Sequence, residues 1–332
     1  MKHYFKFAMA AMTLMVSAGF VACGDDDDDD GGSGVIQSGG FTGSDGQTVR
    51  LTSVGDLVIN YDANGKVTSF GDADEGELYT ISGSSFSIAG TNYKYNFSTN
   101  GKGYITKLVF SYDFTDSDGD SEKGSGTINF SYNGSGQITG YSGSGSSEYV
   151  DVYNNGNSVD KGSEKSTVDV TCAWSSGNLT SVVQQGKGTY TENGETTNYE
   201  DTDTYTFTYG SQANVTKQYT YYVSKPFLGG GLSALSMVGF FGIGTAYLPT
   251  GYTKEEVENR DGEQPYTYTS NYTLTYTLNS NGTIATEQRN NSSVIQYRYS
   301  NATRAAASAD SDMSIAAQLP MLKDMFFKHH RR

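Results

Sequence analysis

The stretch INYDANGKVTSF, Ile59–Phe70, contains the pattern that decides the fold. Apolar and polar residues alternate on both sides of an Asn-Gly pair, as in two short strands joined by a tight turn. Asn and Gly both tolerate the positive φ that a two-residue hairpin turn requires. The stretch therefore predicts an antiparallel β-hairpin in which Tyr61, before the turn, pairs with Val67, after it.

The same layout recurs along the chain, which contains six Asn-Gly pairs. In each unit an aromatic or apolar residue precedes the turn and an aliphatic residue follows it. The further pairs are Tyr132 and Ile138, Trp174 and Leu179, Tyr209 and Val215, Leu278 and Ile284, and a looser copy in Phe97 and Ile105. Up to Tyr209 the units begin about 35–42 residues apart, a spacing typical of repeated supersecondary modules.

The strands between the turns alternate with a period of two. Tyr205, Phe207 and Tyr209 fall on one face of their strand, and the intervening threonines fall on the other. The composition agrees, since 26 Tyr and 41 Gly stand against only 4 Pro. We therefore predict an all-β fold, an antiparallel up-and-down meander of hairpins. Its sheet is expected to be strongly curved or partly closed so that the aromatic face is covered.

The segment YDANGKVTSF resembles the hairpins of YD repeats, and residues 50–300 resemble a Bacteroidota-type surface lipoprotein family with a domain of unknown function. The second resemblance also rests on KPFLGGGLSALSMVGFFGIGTAYLPTGY, Lys225–Tyr252. It has the Pro-Phe start, the apolar Gly-rich middle and the Leu-Pro-Thr end of that family. The resemblance implies a surface lipoprotein and brings no known reaction.

The apolar insert, residues 226–250, interrupts the hairpin pattern and contains no charged residue. Several of its apolar residues are near helical spacing, although its glycines weaken any isolated helix. The favoured interpretation is a short helix and loop that plug the open end of the sheet. The wall of a ligand pocket and a contact with a membrane or partner remain the alternatives.

The N-terminus indicates where the protein is exported. Residues 1–22 have the positive start and apolar run of a secretory signal, and VACGDDDDDDGG places Cys23 directly before six aspartates. Cleavage before a lipidated Cys23 is typical of bacterial lipoproteins, and the acidic residues after it resemble an export signal for surface display. Cleavage after Ala18 is the alternative. Residues 23–45 are then an acidic Gly/Ser-rich tether, and the protein is predicted to be anchored in the outer membrane, facing the cell exterior.

The body between the termini, residues 46–300, is predicted to be one repeat-built β domain. Residues 301–332 are predicted to form a linker and a short basic C-terminal helix. That helix could dock on the body or contact anionic lipid headgroups.

Several chemistries are excluded or disfavoured. The predicted β domain contains no histidine, which excludes His-based catalytic triads and His-ligated zinc there, and Cys172 has no basic neighbour in sequence. A net charge of −15 argues against a nucleic-acid partner. Asp116, Asp118 and Asp120 alternate as in a calcium loop, but Ser121 stands where that loop needs Gly. They are weak metal candidates, and a solvated hairpin loop is favoured. No cofactor is expected.

The sequence therefore predicts a non-catalytic cell-surface lipoprotein that binds an extracellular ligand such as a glycan. A structural or adhesive surface protein that contacts a partner protein is the alternative. A carboxylate-based glycoside hydrolase is a weaker one, because no carboxylate pair stands out. The sequence assigns no catalytic residue and leaves the ligand-binding residues unknown.

Overall fold

A computed structural model describes residues 40–72, 77–89, 91–115, 119–153, 158–228, 232–262 and 264–301. The predicted signal, Cys23, most of the tether and the predicted C-terminal helix lie outside these residues. The described residues form seventeen strands and two helices in this order: β1 (Gly40–Thr42), β2 (Thr48–Val54), β3 (Leu57–Tyr61), β4 (Val67–Asp72), β5 (Glu77–Ser82), β6 (Ser85–Ile88), β7 (Lys94–Thr99), β8 (Ile105–Thr115), β9 (Ser121–Tyr132), β10 (Ile138–Tyr153), β11 (Ser158–Ser175), β12 (Asn178–Glu192), β13 (Glu195–Ala213), α1 (Tyr221–Leu228), α2 (Leu232–Met237), β14 (Tyr247–Arg260), β15 (Tyr266–Leu278), β16 (Ile284–Arg289) and β17 (Ile295–Asn301).

The sheet closes on itself. Each strand from β2 to β16 pairs with the next strand in antiparallel register, and β17 returns to pair with β2 through Asn301 opposite Val49. The sixteen strands β2–β17 therefore form a closed barrel, while β1 pairs with the first residues of β2. The predicted antiparallel meander is confirmed, but the expectation of a partly closed sheet is corrected to full closure. Pairing between the first and last strands removes the edges that an open sheet would expose.

The barrel carries its aromatic residues inside and polar residues outside. On β13, Tyr205 and Phe207 are buried, whereas Thr206 and Thr208 are exposed. The long strands β8–β13 repeat the pattern with exposed serine, threonine, asparagine and lysine side chains. The predicted period-two alternation thus places most aromatic and aliphatic side chains of these strands in the interior and mostly polar side chains on the exterior.

Most of the repeated hairpin loops differ from the predicted two-residue turn. In the loop Asp62–Lys66, the Asp62 carboxylate accepts hydrogen bonds from the backbone N–H of Asn64 and Lys66, both at 2.9 Å. Only Gly65 of the Asn64-Gly65 pair has a positive φ, of 81°. The feature that repeats is therefore an Asp or Asn whose side-chain oxygen accepts hydrogen bonds from backbone N–H groups of the loop. A residue in the left-handed region follows three positions later.

Two further Asn-Gly loops can be compared with the predicted two-residue turn. In the loop after β9, Asn133 holds the loop and Gly136, not Gly134, has the positive φ of 81°. Among the described Asn-Gly pairs, both residues have a positive φ only at Asn193-Gly194, with 49° and 90°. That hairpin is the one where the prediction of a two-residue turn is right.

In three successive units the aromatic residue connects its hairpin to the hairpin before it. The ring donates a hydrogen bond to the backbone oxygen of the aliphatic residue in the preceding unit. Three successive units share this bond at 2.6 to 2.7 Å: Tyr132 to Ile105, Trp174 to Ile138, and Tyr209 to Leu179. Trp174 therefore has a structural role in the repeat.

The insert fills the barrel at the end where these loops lie. All residues of α2 are buried, and the ring of Phe241 lies 5.0 Å from that of Phe130. The backbone N–H of Ile243 donates to the oxygen of Gly136 in the loop after β9, at 2.9 Å. The insert is larger than the predicted residues 226–250 at its start, because α1 begins at Tyr221, and it ends where β14 begins at Tyr247. None of the helices in the described part of the chain is long and apolar enough to cross a membrane.

A buried carboxylate attaches the insert to the barrel wall. Glu287 of β16 has an exposed fraction of 0%. Its oxygens accept hydrogen bonds from the hydroxyls of Thr220 at 2.8 Å, Tyr297 at 2.6 Å and Tyr276 at 3.1 Å. The backbone N–H of Tyr221 donates at 2.9 Å. The carboxyl group thus lies at the N-terminus of α1, where the first backbone N–H groups need acceptors.

Both ends of the described chain lie at this plugged end. Gly40 pairs with Arg50, and Asn301 pairs with Val49. Just after β1, the backbone N–H of Ser44 donates to the oxygen of Asn281, in the loop that joins β15 to β16. The opposite end of the barrel is formed by the far turns of the long strands.

Candidate ligand-binding trough

A trough of about 1010 Å³ crosses the outer face of strands β8–β14. Most of its side chains are exposed and alternate along their strands with buried residues, so the trough opens to the outside of the barrel. The side chains that line it from the outer face are Val109, Ser125, Thr127, Ser144, Ser146, Lys165, Thr167, Lys187, Thr189, Asn198, Glu200, Asn259 and Asp261.

The lining changes in chemical character from one side of the trough to the other. On β9 and β10 it consists of hydroxyl groups, from residues such as Ser125 and Ser144. In the middle, Lys165 and Lys187 supply two ammonium groups, and neither makes an ion pair with another described residue. These groups can form many hydrogen bonds with a polar ligand.

The β13–β14 side supplies amides and carboxylates. Asp261 accepts hydrogen bonds from the backbone N–H of Asn198 at 3.2 Å and from its side-chain amide at 2.7 Å. Glu200 lies opposite Lys187 in the register of β12 and β13. This side of the trough is therefore partly fixed by its own hydrogen bonds, whereas the lysines are available to a ligand.

A row of glycines beneath the trough allows the sheet to bend. Gly126, Gly145 and Gly188 lie at one level across β9, β10 and β12, connected through the register of the strands. A Cβ on Gly126 would lie 2.5 Å from the Phe110 ring, and one on Gly188 would lie 2.4 Å from the Tyr199 hydroxyl. Large inner-face rings thus cover glycines on the neighbouring strand, a device that stabilises curved sheets. We attribute the concave outer face to this row.

A protonated carboxyl group lies on the inner side of the same sheet. Glu164 has an exposed fraction of 1%, and the Tyr199 hydroxyl donates a hydrogen bond to its Oε1. Burial raises the pKa of Glu164 to about 9, and the nearby carboxylates of Glu122 and Asp201 add to the rise against the opposing hydrogen bond from Tyr199. Glu164 is therefore neutral at pH 7. The sheet separates Glu164 from the trough, so Glu164 packs within the barrel wall and cannot contact a ligand in the trough.

Charged residues on the inner face of β13 and β14 pair with one another. The Lys254 ammonium lies 3.1 Å from an Asp203 carboxylate oxygen and 2.7 Å from one of Glu256. Arg260 lies 3.7 Å from Glu258. The contact with Asp203 joins β14 to β13 inside the barrel, the other two lie within β14, and Lys254 is left with no unpaired buried charge.

The residues that the sequence singled out do not assemble into a site. Asp116, Asp118 and Cys23 lie outside the described residues. The Asp120 carboxylate accepts a hydrogen bond from the backbone N–H of Val152 at 2.6 Å, and no group of three metal-ligating side chains occurs among the residues described. Cys172 is buried, and burial raises the pKa of its thiol to about 12, so it is a poor nucleophile.

The tyrosines that suggested a sugar-stacking surface face mostly inward. Tyr79, Tyr205 and Tyr219 are buried, and among the described residues the aromatic side chains that line the trough are Phe110 and Tyr199, which lie beneath its floor. The sequence reasoning missed Lys165 and Lys187, which carry the positive charge of the trough. The alternation of each strand predicts that each lysine points outward. The sequence alone does not show that β11 and β12 place the two lysines side by side.

Comparisons with known proteins give no family. No family model matches the chain, and no curated protein does. Among solved structures, a porin-like protein from Bacteroides vulgatus ATCC 8482 is 15% identical, with a TM-score of 0.38, over 75% of this chain and 98% of that one. A porin-like protein from Bacteroides uniformis ATCC 8492 is 14% identical, with a TM-score of 0.23, over 67% of this chain and 93% of that one.

Proposed function

We propose that this protein is a lipid-anchored outer-membrane protein that holds an extended glycan in the outer trough. The trough itself carries the proposal. It is about 1010 Å³ in volume, open along its length, and lined by hydroxyl, amide and ammonium groups. A polyhydroxyl chain both donates and accepts hydrogen bonds, so it can match such a lining along several sugar units.

The polarity of the outer face supports a barrel that stands in water. A barrel that spans a bilayer needs an apolar outer band about 25 Å tall. Here the outward residues of the long strands β8–β13 are mostly polar, as in Lys123, Ser125, Thr127 and Asn129 along β9. If this outer face crossed a bilayer, its hydroxyl and ammonium groups would be buried in hydrocarbon at a high cost in free energy. The lipid on Cys23 would then be the attachment to the membrane.

The positions of the chain ends support display of the trough. Residue 40 lies at the plugged end, and the tether from Cys23 to that residue would reach at most about 60 Å when fully extended. The plugged end would therefore face the membrane, and the far turns of the long strands would point away from it. Asn259 and Asp261, at the far end of β14, place one side of the trough near those turns.

Affinity electrophoresis of the full-length chain tests the proposal. The protein is run in native gels that contain plant or host polysaccharides, beside Lys165→Ala and Lys187→Ala variants. Loss of a charge-assisted hydrogen bond should weaken binding by about tenfold or more. Lys107→Ala is the matched control, because Lys107 is exposed on β8 outside the trough.

Retardation of the wild type and the control, with reduced retardation of the two trough variants, is the expected result. Equal retardation of all four proteins would place the binding surface elsewhere. Unchanged mobility with every polysaccharide would contradict glycan binding.

A further inference from the structure

The far half of β15 has a free edge. Residues Tyr266–Thr273 pair with β14 on one side, in an unbroken register from Glu258 to Gly251. The next strand, β16, pairs only with Leu274–Leu278. No other described strand pairs with Tyr266–Tyr272. The residues from Tyr266 to Thr269 are exposed on both faces.

The hydrogen bonds of Thr273 show which backbone groups point to this edge. Its oxygen accepts a bond from the backbone N–H of Asn290 at 2.8 Å, and its N–H donates to the Asn290 side chain at 2.7 Å. Thr273 therefore faces the β16 side. Because antiparallel bonding alternates along a strand, Thr267, Thr269 and Asn271 also direct their N–H and C=O groups to the free edge.

This edge lacks the features that protect exposed strands. Natural edges carry charges, proline or bulges that prevent pairing with another chain. Tyr266–Thr273 contains no charged residue and no proline, and its pairing with β14 has no bulge. The other free edge of this part of the sheet, Tyr112–Thr115 at the end of β8, is shorter and carries Asp113. The β15 edge is thus open to pairing with an added strand in a way that the β8 edge is not.

The side chains around the edge indicate the chemistry of the strand that fits. Tyr266 and Tyr268 have exposed fractions of 55% and 51% and lie on the same face. Behind them in register on β14 are Glu258 and Glu256. These two glutamates contact Lys254 and Arg260, but Asp203 and Asp201 lie opposite them on β13, so acidic groups outnumber cations there by four to two. A Lys or Arg side chain on an added strand would lie over a tyrosine ring on this acidic side, which favours a cation.

We propose that the β15 edge binds an extended, basic peptide segment of another protein by strand addition. Backbone hydrogen bonds from Thr267, Thr269 and Asn271 supply affinity, and Tyr266 and Tyr268 select Lys or Arg on alternate positions. A second copy of this chain is a poor occupant, because it brings the same carboxylates and a net charge of −15 to the interface. This surface is separate from the outer trough, so the two proposals can fail independently.

A displayed library of random dodecapeptides tests the edge. The library is selected on the full-length chain, and enriched peptides are synthesised and measured by fluorescence anisotropy. Thr269→Pro removes an N–H that points to the edge while it leaves the bonds to β14, whereas Thr269→Val keeps that N–H. We expect peptides in which Lys or Arg alternates with β-branched residues. Their binding should weaken by about tenfold or more in the proline variant and stay unchanged in the valine variant.

Amide hydrogen exchange of the wild type keeps the test decisive if the proline variant does not fold. Added peptide should slow exchange at the amides of Thr267, Thr269 and Asn271. Unchanged exchange there, equal binding to both variants, or enrichment of no peptide would overturn the proposal. A doubled mass in light scattering that Thr269→Pro abolishes would overturn it in favour of pairing between two copies.

Discussion

Replacing Glu164 with Gln should make the stability of the barrel less dependent on pH. Glu164 is buried beside Tyr199, and its pKa rises from 4.5 to about 9 in the folded protein. Between these two values the folded state holds a proton that the unfolded state releases. The contribution of this group to stability is therefore complete below about pH 4.5 and is lost as the pH rises towards 9. A glutamine keeps the shape and the acceptor for the Tyr199 hydroxyl but cannot ionise.

The size of this change in stability follows from the pH range between the two pKa values. Each pH unit changes the free energy of unfolding by about 1.4 kcal/mol for one proton. From pH 5 to pH 8 the wild type should therefore lose about 4 kcal/mol relative to Glu164→Gln. This value is an upper limit, since relaxation around an ionised carboxylate lowers its cost. The raised pKa of Glu287 is common to both proteins and cancels in the comparison.

Urea unfolding at pH 5, 6, 7 and 8, followed by circular dichroism, measures the difference. Glu200→Gln is the control, because Glu200 is exposed on the outer face of β13 and its replacement should leave the pH profile unchanged. Parallel pH profiles for the wild type and Glu164→Gln would refute the assignment of a buried, protonated Glu164.

Three further predictions concern the wall and the insert. Glu287→Ala leaves the buried hydroxyls of Thr220 and Tyr297 without their acceptor, so the free energy of unfolding should fall by about 3 kcal/mol; an unfolding curve within error of the wild type would contradict the anchoring role. Gly188→Ala places a Cβ 2.4 Å from the oxygen of Lys165 and should cost about 1–3 kcal/mol, whereas Gly134→Ala meets no atom within 4 Å and should be nearly neutral; urea midpoints that agree for both variants would count against the glycine row. Because burial raises the pKa of Cys172 to about 12, an alkylating reagent at pH 8 should label it only in denaturant, as peptide mass analysis would show; rapid labelling of the folded protein would mean that the barrel is more open there.

The alternating strands made the fold class predictable from sequence. Tyr205 and Phe207 face inward while Thr206 and Thr208 face outward, because a strand reverses side-chain direction at every residue. The repeated pairing of an aromatic with an aliphatic residue was also visible, and Trp174 shows its purpose in the hydrogen bond to Ile138. Local pattern is enough for these features, since each depends on residues close in sequence.

Closure, loop geometry and the trough were not predictable in the same way. Whether β17 meets β2 depends on the summed curvature of sixteen strands. In Asn133-Gly134 the turn signal was present, but the side chain of Asn133 holds a longer loop in which Gly136 takes the positive φ. Glu287 is one glutamate among many, and only the position of α1 makes it a buried acceptor. The residues that line the trough come from seven strands, and only the register between those strands brings them together.

Titration calorimetry on trough variants measures directly whether a glycan binds in the outer trough. Ser144→Leu removes a hydroxyl from the floor of the trough and fills the space above it, whereas Ser131→Leu makes the same change at an exposed position of β9 outside the trough. An oligosaccharide from a polysaccharide that retards the full-length chain is the ligand. Our account predicts that heat of binding is lost in Ser144→Leu and retained in Ser131→Leu. Equal binding by both variants would contradict a glycan site in the outer trough.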